Sequence, residues 1–370
     1  MTFSPWSGDF QPLARRACKL GWVSAYAPPL RPPARVGLLT TSTLALTASL
    51  SGLVVLGASW GPDWPAQEYR AWLAAHVGVT VWTNGWYSGQ PLTGYSVLYP
   101  LLGMLLGASL TGLLAAIGAG WGAALLAPRS SGWRRRLFVA GVASVLALDL
   151  MIGQIPYLVG VSFAVWAVWA TLRNKPRRAA LFAVGCSLSS PLAGAFLLLA
   201  ALALGARLGW KRSRWLAGSM VGIAVSAVVG GGAGTYPFRL RGLLAIGIFV
   251  VFCFALSDRG NRALRTFAAF YGIAAIALFI VPNPIGGNIS RLGQLVALPL
   301  ACHFIVGGRG LRRWLCIAAV PLAISWPVVP ALGSVLHGAN DPSRREVYYT
   351  GVASMDVVFD LRPIWRGGQM

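Results

Sequence analysis

Carboxylates are scarce in this chain, and three of them occur where polar chemistry is possible in an otherwise apolar protein. The sequence has 9 Asp and Glu among 370 residues. Asp63 and Glu68 lie in the long polar connection 61–95, and Asp149 lies near the end of an apolar run. A carboxylate placed in this way can take a proton from a hydroxyl as a general base. Asp63 has a simpler interpretation as well, as the N-cap of the helix that the following residues predict.

The residues after Asp149 predict a break between two helices. Gly153, Gln154 and Pro156 interrupt the apolar pattern within a few residues of this acid. An ionisable group inside a membrane is costly and is by default a candidate for function. We therefore expect Asp149 and Gln154 to bind substrate, with the alternative that Asp149 simply reaches the outer interface.

A third polar feature is the stretch VPNPIGGNISRLGQ at 281–294. Its prolines and glycines end one helix, and Arg291 follows at the start of the next apolar run. An arginine here presents a planar fork that suits a phosphate, and we expect Asn288 and Arg291 to contribute to substrate binding. The alternative is that Arg291 snorkels to lipid headgroups, which is the preferred interpretation for Arg239 and Arg241.

Aromatic residues are concentrated in the connection 61–95. Residues 64–77 have the composition of a helix that lies along the membrane surface. Trp86 and Tyr87 follow it, and they suit either anchoring at the headgroup level or stacking on a sugar ring. Both alternatives remain open, and Trp86 and Tyr87 are retained as candidate substrate-binding residues.

The composition excludes most other classes of protein. Hydrophobic residues make up 56% of the chain and charged residues only 11%, and the mean hydropathy is +0.65. Such a chain is neither a water-soluble domain nor a disordered or nucleic-acid-binding basic protein. The five cysteines have no CxxC spacing, so we predict neither a disulfide framework nor a metal site, and no cofactor.

The apolar runs predict an all-α, polytopic transmembrane helix bundle of about 11 spans, within a range of 9–12. A basic, proline-rich cytoplasmic tail (1–35) precedes the bundle (36–333), and a short extracytoplasmic tail (334–370) follows it. The SSPL sequence at 189–192 separates two short runs, which form either two spans or a re-entrant pair. The predicted runs are 36–60, 96–127, 137–152, 155–172, 179–190, 191–206, 216–232, 239–257, 267–282, 292–307 and 314–333.

The distribution of Lys and Arg predicts the orientation. With a cytoplasmic amino terminus, 23 of the 31 basic residues fall on the inner side in six clusters. This asymmetry follows the positive-inside rule, because Lys and Arg resist translocation. The net charge of +22 is thus mainly a topology signal in a multi-pass protein of the inner (plasma) membrane, with no nucleic-acid partner. The carboxyl terminus is expected outside.

The chain resembles integral-membrane glycosyltransferases of the GT-C type, in particular multi-span proteins of high-GC actinobacteria. The resemblance covers roughly 36–350, through loose patterns rather than a catalytic signature. The stretches that carry it are PDWPAQEYRAWLAAHVGVTVWTNGWYSGQPLTGYSVLYP (62–100), GQIPYLVG (153–160), SLSSPLAGAFL (187–197), GTYPF (234–238) and NPIGGNISRLG (283–293).

This resemblance implies an inverting sugar transfer at the outer membrane face. The donor would be a polyprenyl-phosphate sugar, and the acceptor a glycan or glycolipid of the cell envelope. Asp63 best matches the family's acidic residue in the first outer loop, with Glu68 second, and basic side chains would hold the lipid phosphate. Such proteins commonly continue into an extracytoplasmic carboxyl-terminal region. The sequence after Tyr349 departs from the family, so we expect a truncated or divergent end.

Two alternatives of another class remain. One is a transporter or flippase for a lipid-linked substrate, and the other is a non-catalytic membrane subunit. Transporters often carry internal repeats and charged, interrupted helices. No clear repeat is found here, and Asp149 is the only acid within a predicted span, which weighs against transport. The phosphate-binding pattern GxxxxGK[ST] is absent from the sequence.

Overall fold

A computed structural model describes residues 35–57, 61–78, 80, 82–83, 90–91, 94–127, 133–229, 235–257, 261–307 and 311–339. Over these ranges the chain is helical apart from one short antiparallel pair. In that pair, β1 (Trp82–Thr83) lies beside β2 (Gln90–Pro91), with Trp82 opposite Pro91. The predicted all-α class is confirmed. Trp86, Tyr87 and both predicted tails beyond 35–339 lie outside the described residues.

The described helices follow the apolar runs of the sequence. In chain order they are α1 (Arg35–Leu56), α2 (Trp64–His76), α3 (Tyr99–Leu126), α4 (Trp133–Ile152), α5 (Ile155–Leu172), α6 (Pro176–Ser189), α7 (Pro191–Leu208), α8 (Trp210–Ser213), α9 (Met220–Val229), α10 (Leu240–Leu256), α11 (Arg262–Ile280), α12 (Ser290–Gly307) and α13 (Leu311–Ala339). Two 3-10 helices, Arg214–Ser219 and Gly286–Ile289, precede α9 and α12.

Five of the described helices are long and apolar enough to cross a membrane. They are α3, α5, α7, α11 and the segment Ile317–Leu336 of α13. Two shorter apolar segments, Thr40–Leu56 and Leu240–Leu256, accompany them. A membrane span needs about 20 apolar residues because the hydrocarbon core is about 30 Å thick. These helices indicate a membrane protein.

Local sequence explains the helix boundaries that matter for the site. The SSPL break is a junction between α6 and α7 at Ser190, which is extended (φ −155°). Its hydroxyl accepts a hydrogen bond from the Ala193 amide, as an N-cap does. Within α3, Gly107 has φ +74°, a conformation that favours glycine, and it introduces a kink.

Small residues allow the helices to approach closely. A Cβ on Gly160 would lie 2.7 Å from the Cβ of Ala193, and one on Gly112 would lie 2.5 Å from Leu150 Cδ1. Contacts of this kind are typical of membrane bundles, where lipid is as apolar as the side chains and close van der Waals packing drives association. The fully buried side chains also include large aromatic ones: Trp64, Tyr99, Tyr157 and Tyr271.

The connection between α1 and α3, which contains α2, is held to the bundle at both of its ends. At its beginning, the Gly61 amide donates to the Met151 carbonyl at 2.8 Å. At its end, the amides of Val97 and Leu98 both donate to the Leu188 carbonyl, at 2.9 and 3.0 Å. These bonds join the starts of α2 and α3 to the ends of α4 and α6, so all four termini lie at one end of the bundle.

Candidate functional site

The amino terminus of α2 is fixed against the break between α4 and α5. Trp64 is 0% exposed, and its indole Nε1 donates a hydrogen bond of 3.1 Å to the Leu150 carbonyl. Trp64 follows Asp63 directly, and Leu150 follows Asp149. This one contact therefore places two acids from distant parts of the sequence at the same end of the bundle.

Gly153 makes this approach possible. Its φ is +92°, and a Cβ at this position would lie 2.6 Å from the Trp64 amide nitrogen. Its amide donates to the Leu150 carbonyl at 2.9 Å, and its carbonyl accepts from Ile155 at 2.8 Å. Only glycine combines this backbone conformation with such a close neighbour. The break predicted from Gly153 is thus also the contact surface for α2.

Asp63 occupies the N-cap position of α2, but its side chain makes no capping hydrogen bond. The interpretation of Asp63 as a capping side chain is therefore wrong: its backbone is in the helical region (φ −78°, ψ −16°), whereas a capping residue is usually extended. Burial raises the pKa of the Asp63 carboxyl above its ordinary value of 3.8, and the positive charges of Arg291 and Arg70 oppose this rise. A half-buried carboxylate near two guanidiniums can serve as a base.

Two further ionisable residues of α2 differ in their surroundings. Arg70 is 9% exposed, and its guanidinium carbon lies 4.1 Å from the centroid of the Tyr95 ring. Its Nη1 reaches Gln67 Oε1 at 3.5 Å. Glu68 is exposed, although partial desolvation of its carboxyl raises its pKa. Within α2 the buried charge is thus Arg70, while the second predicted acid points away from the packed interior.

Arg291, the second residue of α12, acts electrostatically on both acids. Its guanidinium carbon lies 5.7 Å from the centroid of the Tyr157 ring, and its charge acts on the carboxyls of both Asp63 and Asp149. Tyr271 holds this part of the chain: its hydroxyl donates to the Ile289 carbonyl at 2.9 Å and accepts from the Gly293 amide at 3.1 Å.

Three buried oxygens at the break between α4 and α5 have no hydrogen-bond partner among the described residues. They are Asp149 Oδ2, Gln154 Oε1 and the Tyr157 hydroxyl. Asp149 and Arg291 also line a small crevice with Gln294, between α4, α12 and α13. Its cavity volume is about 10 Å³, which is room for about one water. Buried polar atoms in native proteins are nearly always paired, so this cluster calls for an explanation.

The structure brings together four of the predicted residues: Asp63, Asp149, Gln154 and Arg291. Glu68 lies on the same helix as the site but is exposed. Asn288 is half-buried in the 3-10 turn Gly286–Ile289 that leads into α12. The predicted stacking residues Trp86 and Tyr87 lie outside the described residues.

Sequence reasoning did not select Tyr157, Arg70 or Tyr95 as site residues. Tyr157 lies three residues after Gln154, and one buried tyrosine in an apolar helix resembles any other core aromatic. Arg70 is one of several outer basic residues, and only the folded structure shows that it is buried. A polar side chain next to a helix break was the available signal for Tyr157.

A larger cavity lies elsewhere in the bundle. Its volume is about 330 Å³, and it is lined mostly by apolar side chains of α5, α7, α11 and α12, with Asn261 and His303 among them. None of the site residues lines it. Within the described ranges, no three His, Cys, Asp or Glu residues are grouped so that they could hold a metal ion.

Comparisons with protein-family models, with curated proteins and with solved structures give no match to this chain.

Proposed function

We propose that the chain is a membrane glycosyltransferase that moves a sugar from a polyprenyl-phosphate donor to an acceptor hydroxyl. The observation that carries this proposal is the placement of the Asp63 carboxylate within electrostatic reach of Arg291. Sugar transfer from a lipid phosphate needs a base for the acceptor and a cation for the leaving group. The GT-C resemblance of the sequence supports the same reaction class.

Each group has a defined part in this reaction. Asp63 takes the proton of the acceptor hydroxyl, and the acceptor oxygen attacks the anomeric carbon from the face opposite the phosphate. The bond between the anomeric carbon and the phosphate oxygen breaks, and its electron pair leaves with the phosphate. The Arg291 guanidinium stabilises the charge that develops there. The product is an inverted glycosidic bond and a polyprenyl phosphate.

The proposal includes the arrangement in the membrane. It places about 11 spans in the inner (plasma) membrane, of which five described helices meet the length and hydropathy of a span, with a cytoplasmic amino terminus and the site at the outer face. The acceptor is then a glycan or glycolipid of the cell envelope. In this arrangement the start of α2, the end of α4 and the start of α12 are proposed to meet the lipid-linked headgroup at the membrane surface.

One observation favours a second candidate, a transporter or flippase for a lipid-linked substrate. Asp149 Oδ2 is buried without a partner, next to the interruption between α4 and α5. Discontinuous helices with an ionisable residue at the break are typical of substrate sites in transporters.

The test is sugar transfer by the full chain in lipid nanodiscs, with radiolabelled mannosyl and glucosyl phosphates of decaprenol as donors. Asp63→Asn is expected to reduce the rate at least about 100-fold, the smallest effect typical of a general base. The exposed Glu68→Gln is the matched control and should retain the rate within about threefold. Wild type that moves labelled lipid across proteoliposomes without transferring sugar would instead establish the transporter.

A further inference from the structure

The three unpaired oxygens at the break between α4 and α5 are not accounted for by the base or by the phosphate-binding arginine. Gln154 is 7% exposed and Tyr157 2% exposed, so water does not compensate their unpaired atoms from the surface. Asp149 contributes the third oxygen from the last turn of α4. A buried polar atom without a partner is unfavourable, and a bound ligand that supplies the partner removes this cost.

The chemistry of the cluster defines its ligand. Asp149 Oδ2 and Gln154 Oε1 accept hydrogen bonds, and the Tyr157 hydroxyl can accept or donate. The ligand must therefore supply several hydrogen-bond donors in a compact group. A metal cation would satisfy the oxygens, but the positive Arg291 lies beside Tyr157 and opposes it. Neutral hydroxyl groups meet the requirement without this repulsion.

We infer that Asp149, Gln154 and Tyr157 bind the hydroxyl groups of the donor sugar in a recess that opens when the donor binds, and that they determine which sugar is used. This inference rests on the proposed function, because it places the phosphate of the same donor on Arg291. Arg291 contacts the Tyr157 ring, so hydroxyls that reach the recess belong to the sugar attached to that phosphate rather than to the acceptor. A sugar is larger than the crevice beside Asp149, and its binding requires Arg291 or Gln294 to move.

The test compares binding of two lipids to the full chain in nanodiscs by microscale thermophoresis. The probes are decaprenyl-phosphate mannose and bare decaprenyl phosphate, with methyl α-mannoside as the soluble, acceptor-like sugar. Tyr157→Phe removes a hydroxyl that has no partner among the described residues, and Gln154→Met replaces the amide with an apolar group of similar size. Neither variant is expected to lower the melting temperature.

Each variant is expected to weaken binding of the sugar-bearing lipid about five- to tenfold and to leave binding of the bare lipid unchanged, since one hydrogen bond is lost. Arg291→Gln should weaken the binding of both lipids. Ser213→Ala is the matched control, because Ser213 Oγ is also buried without a partner but lies outside the site. It should change neither affinity.

Three results would overturn the inference. One is wild-type binding of the two lipids with equal affinity, and another is unchanged sugar-lipid affinity in both variants. The third is that the variants lose affinity for methyl α-mannoside alone, which would assign the recess to the acceptor. The transfer assay with Asp63→Asn is read separately, so the recess can fail while the proposed reaction stands.

Discussion

The indole of Trp64 and the carbonyl of Leu150 are joined by a hydrogen bond of 3.1 Å that spans 86 positions of sequence. Each of these residues directly follows an acid, Asp63 in one case and Asp149 in the other. The bond is buried, and it links the first turn of α2 to the last turn of α4. It therefore sets the separation of the two carboxyls, although neither carboxyl takes part in it.

Trp64→Phe is expected to destabilise the protein and to lower sugar transfer. The substitution removes one of the two hydrogen bonds that the Leu150 carbonyl accepts, and the Gly153 amide remains as its donor, so the cost is about 0.5–1.5 kcal/mol. It also releases Asp63 from its position, so the transfer rate should fall about tenfold or more, since small displacements of a catalytic group are costly.

Trp166→Phe is the matched control, measured by the same thermal unfolding and transfer assays. Trp166 Nε1 donates to the Gly118 carbonyl at 3.0 Å, away from the acids. Loss of this hydrogen bond should lower the melting temperature while leaving the rate of sugar transfer per folded molecule unchanged. Equal losses of transfer in both variants would remove the positioning role assigned to Trp64.

Gly153→Ala is expected to be more disruptive than Gly209→Ala, although both glycines have positive φ, +92° and +85°. Alanine in this conformation costs about 1–3 kcal/mol at either position. A Cβ at Gly153 would also collide with the backbone of Trp64, whereas no atom of the described residues lies within 4 Å of one at Gly209. Thermal unfolding should show the larger loss for Gly153→Ala, and transfer should fall only there. A similar melting temperature for both variants would contradict the close packing of α2 on the break.

The acid side of the pH profile should report on Asp63. Burial raises the pKa of this carboxyl above 3.8, so transfer should decline on acidification at a higher pH than for an ordinary aspartate. Arg70 opposes the rise, and Arg70→Gln should therefore move this limb of kcat/KM to still higher pH. Glu68→Gln should leave the limb in place. If the acidic limb of kcat/KM stays at the same pH in Arg70→Gln, Asp63 is not the base.

The same pKa shift has a consequence for stability. A carboxyl whose folded pKa lies above its unfolded pKa stabilises the protein fully at low pH, and this stabilisation is lost as the pH rises between the two values. Asp63→Asn should consequently be at least as stable as wild type at neutral pH. The advantage should disappear near pH 4 and below. Chemical denaturation at neutral pH and near pH 4 measures this difference in the free energy of unfolding. An Asp63→Asn variant that is less stable than wild type at neutral pH would contradict the desolvation of Asp63.

Tyr271→Phe tests how Arg291 is held. The lost hydroxyl removes two hydrogen bonds, one to the Ile289 carbonyl and one from the Gly293 amide, at a cost of about 1–3 kcal/mol. Because Arg291 lies between these two residues, binding of bare decaprenyl phosphate should weaken as well. Thermal unfolding and lipid binding measure the two effects. Unaltered binding in a clearly destabilised variant would show that Arg291 keeps its position without Tyr271.

Cysteine labelling can establish the orientation. In a background without native cysteines, Ala75→Cys and Lys175→Cys place exposed thiols on α2 and before α6. A membrane-impermeant maleimide added to intact cells should label position 75, while position 175 should react only after permeabilisation. The reverse pattern would place the acids on the cytoplasmic side and exclude transfer at the outer face.

The helices of the bundle could be predicted from sequence, because each apolar run ends at glycine, proline or a basic cluster. The break at Gly153, the helix at Trp64–His76 and the junction at Ser190 all follow from local residue types. The number of spans is harder to predict. Five helices meet the length and hydropathy of a span by themselves, while α4 and α12 combine apolar and polar residues.

The site was predictable in its residue types and not in its geometry. The scarce acids of an apolar chain are candidate site residues by type alone, and so is an arginine after a proline- and glycine-rich turn. That Arg291 lies over Tyr157, and that Asp63 does not cap α2, depends on contacts between elements far apart in sequence. No local pattern encodes such contacts.

The double attachment of the connection between α1 and α3 has a consequence for how the protein can diversify. Its ends are bonded through the backbone amides of Gly61 and Val97 to Met151 and Leu188, so these attachments do not depend on the residue types of the stretch 77–94 that follows α2. Mutations in that interval can accumulate without unfolding the helices that carry Asp63 and Arg291. Related chains with new acceptor preferences are therefore expected to differ most there, while the reacting groups are inherited unchanged.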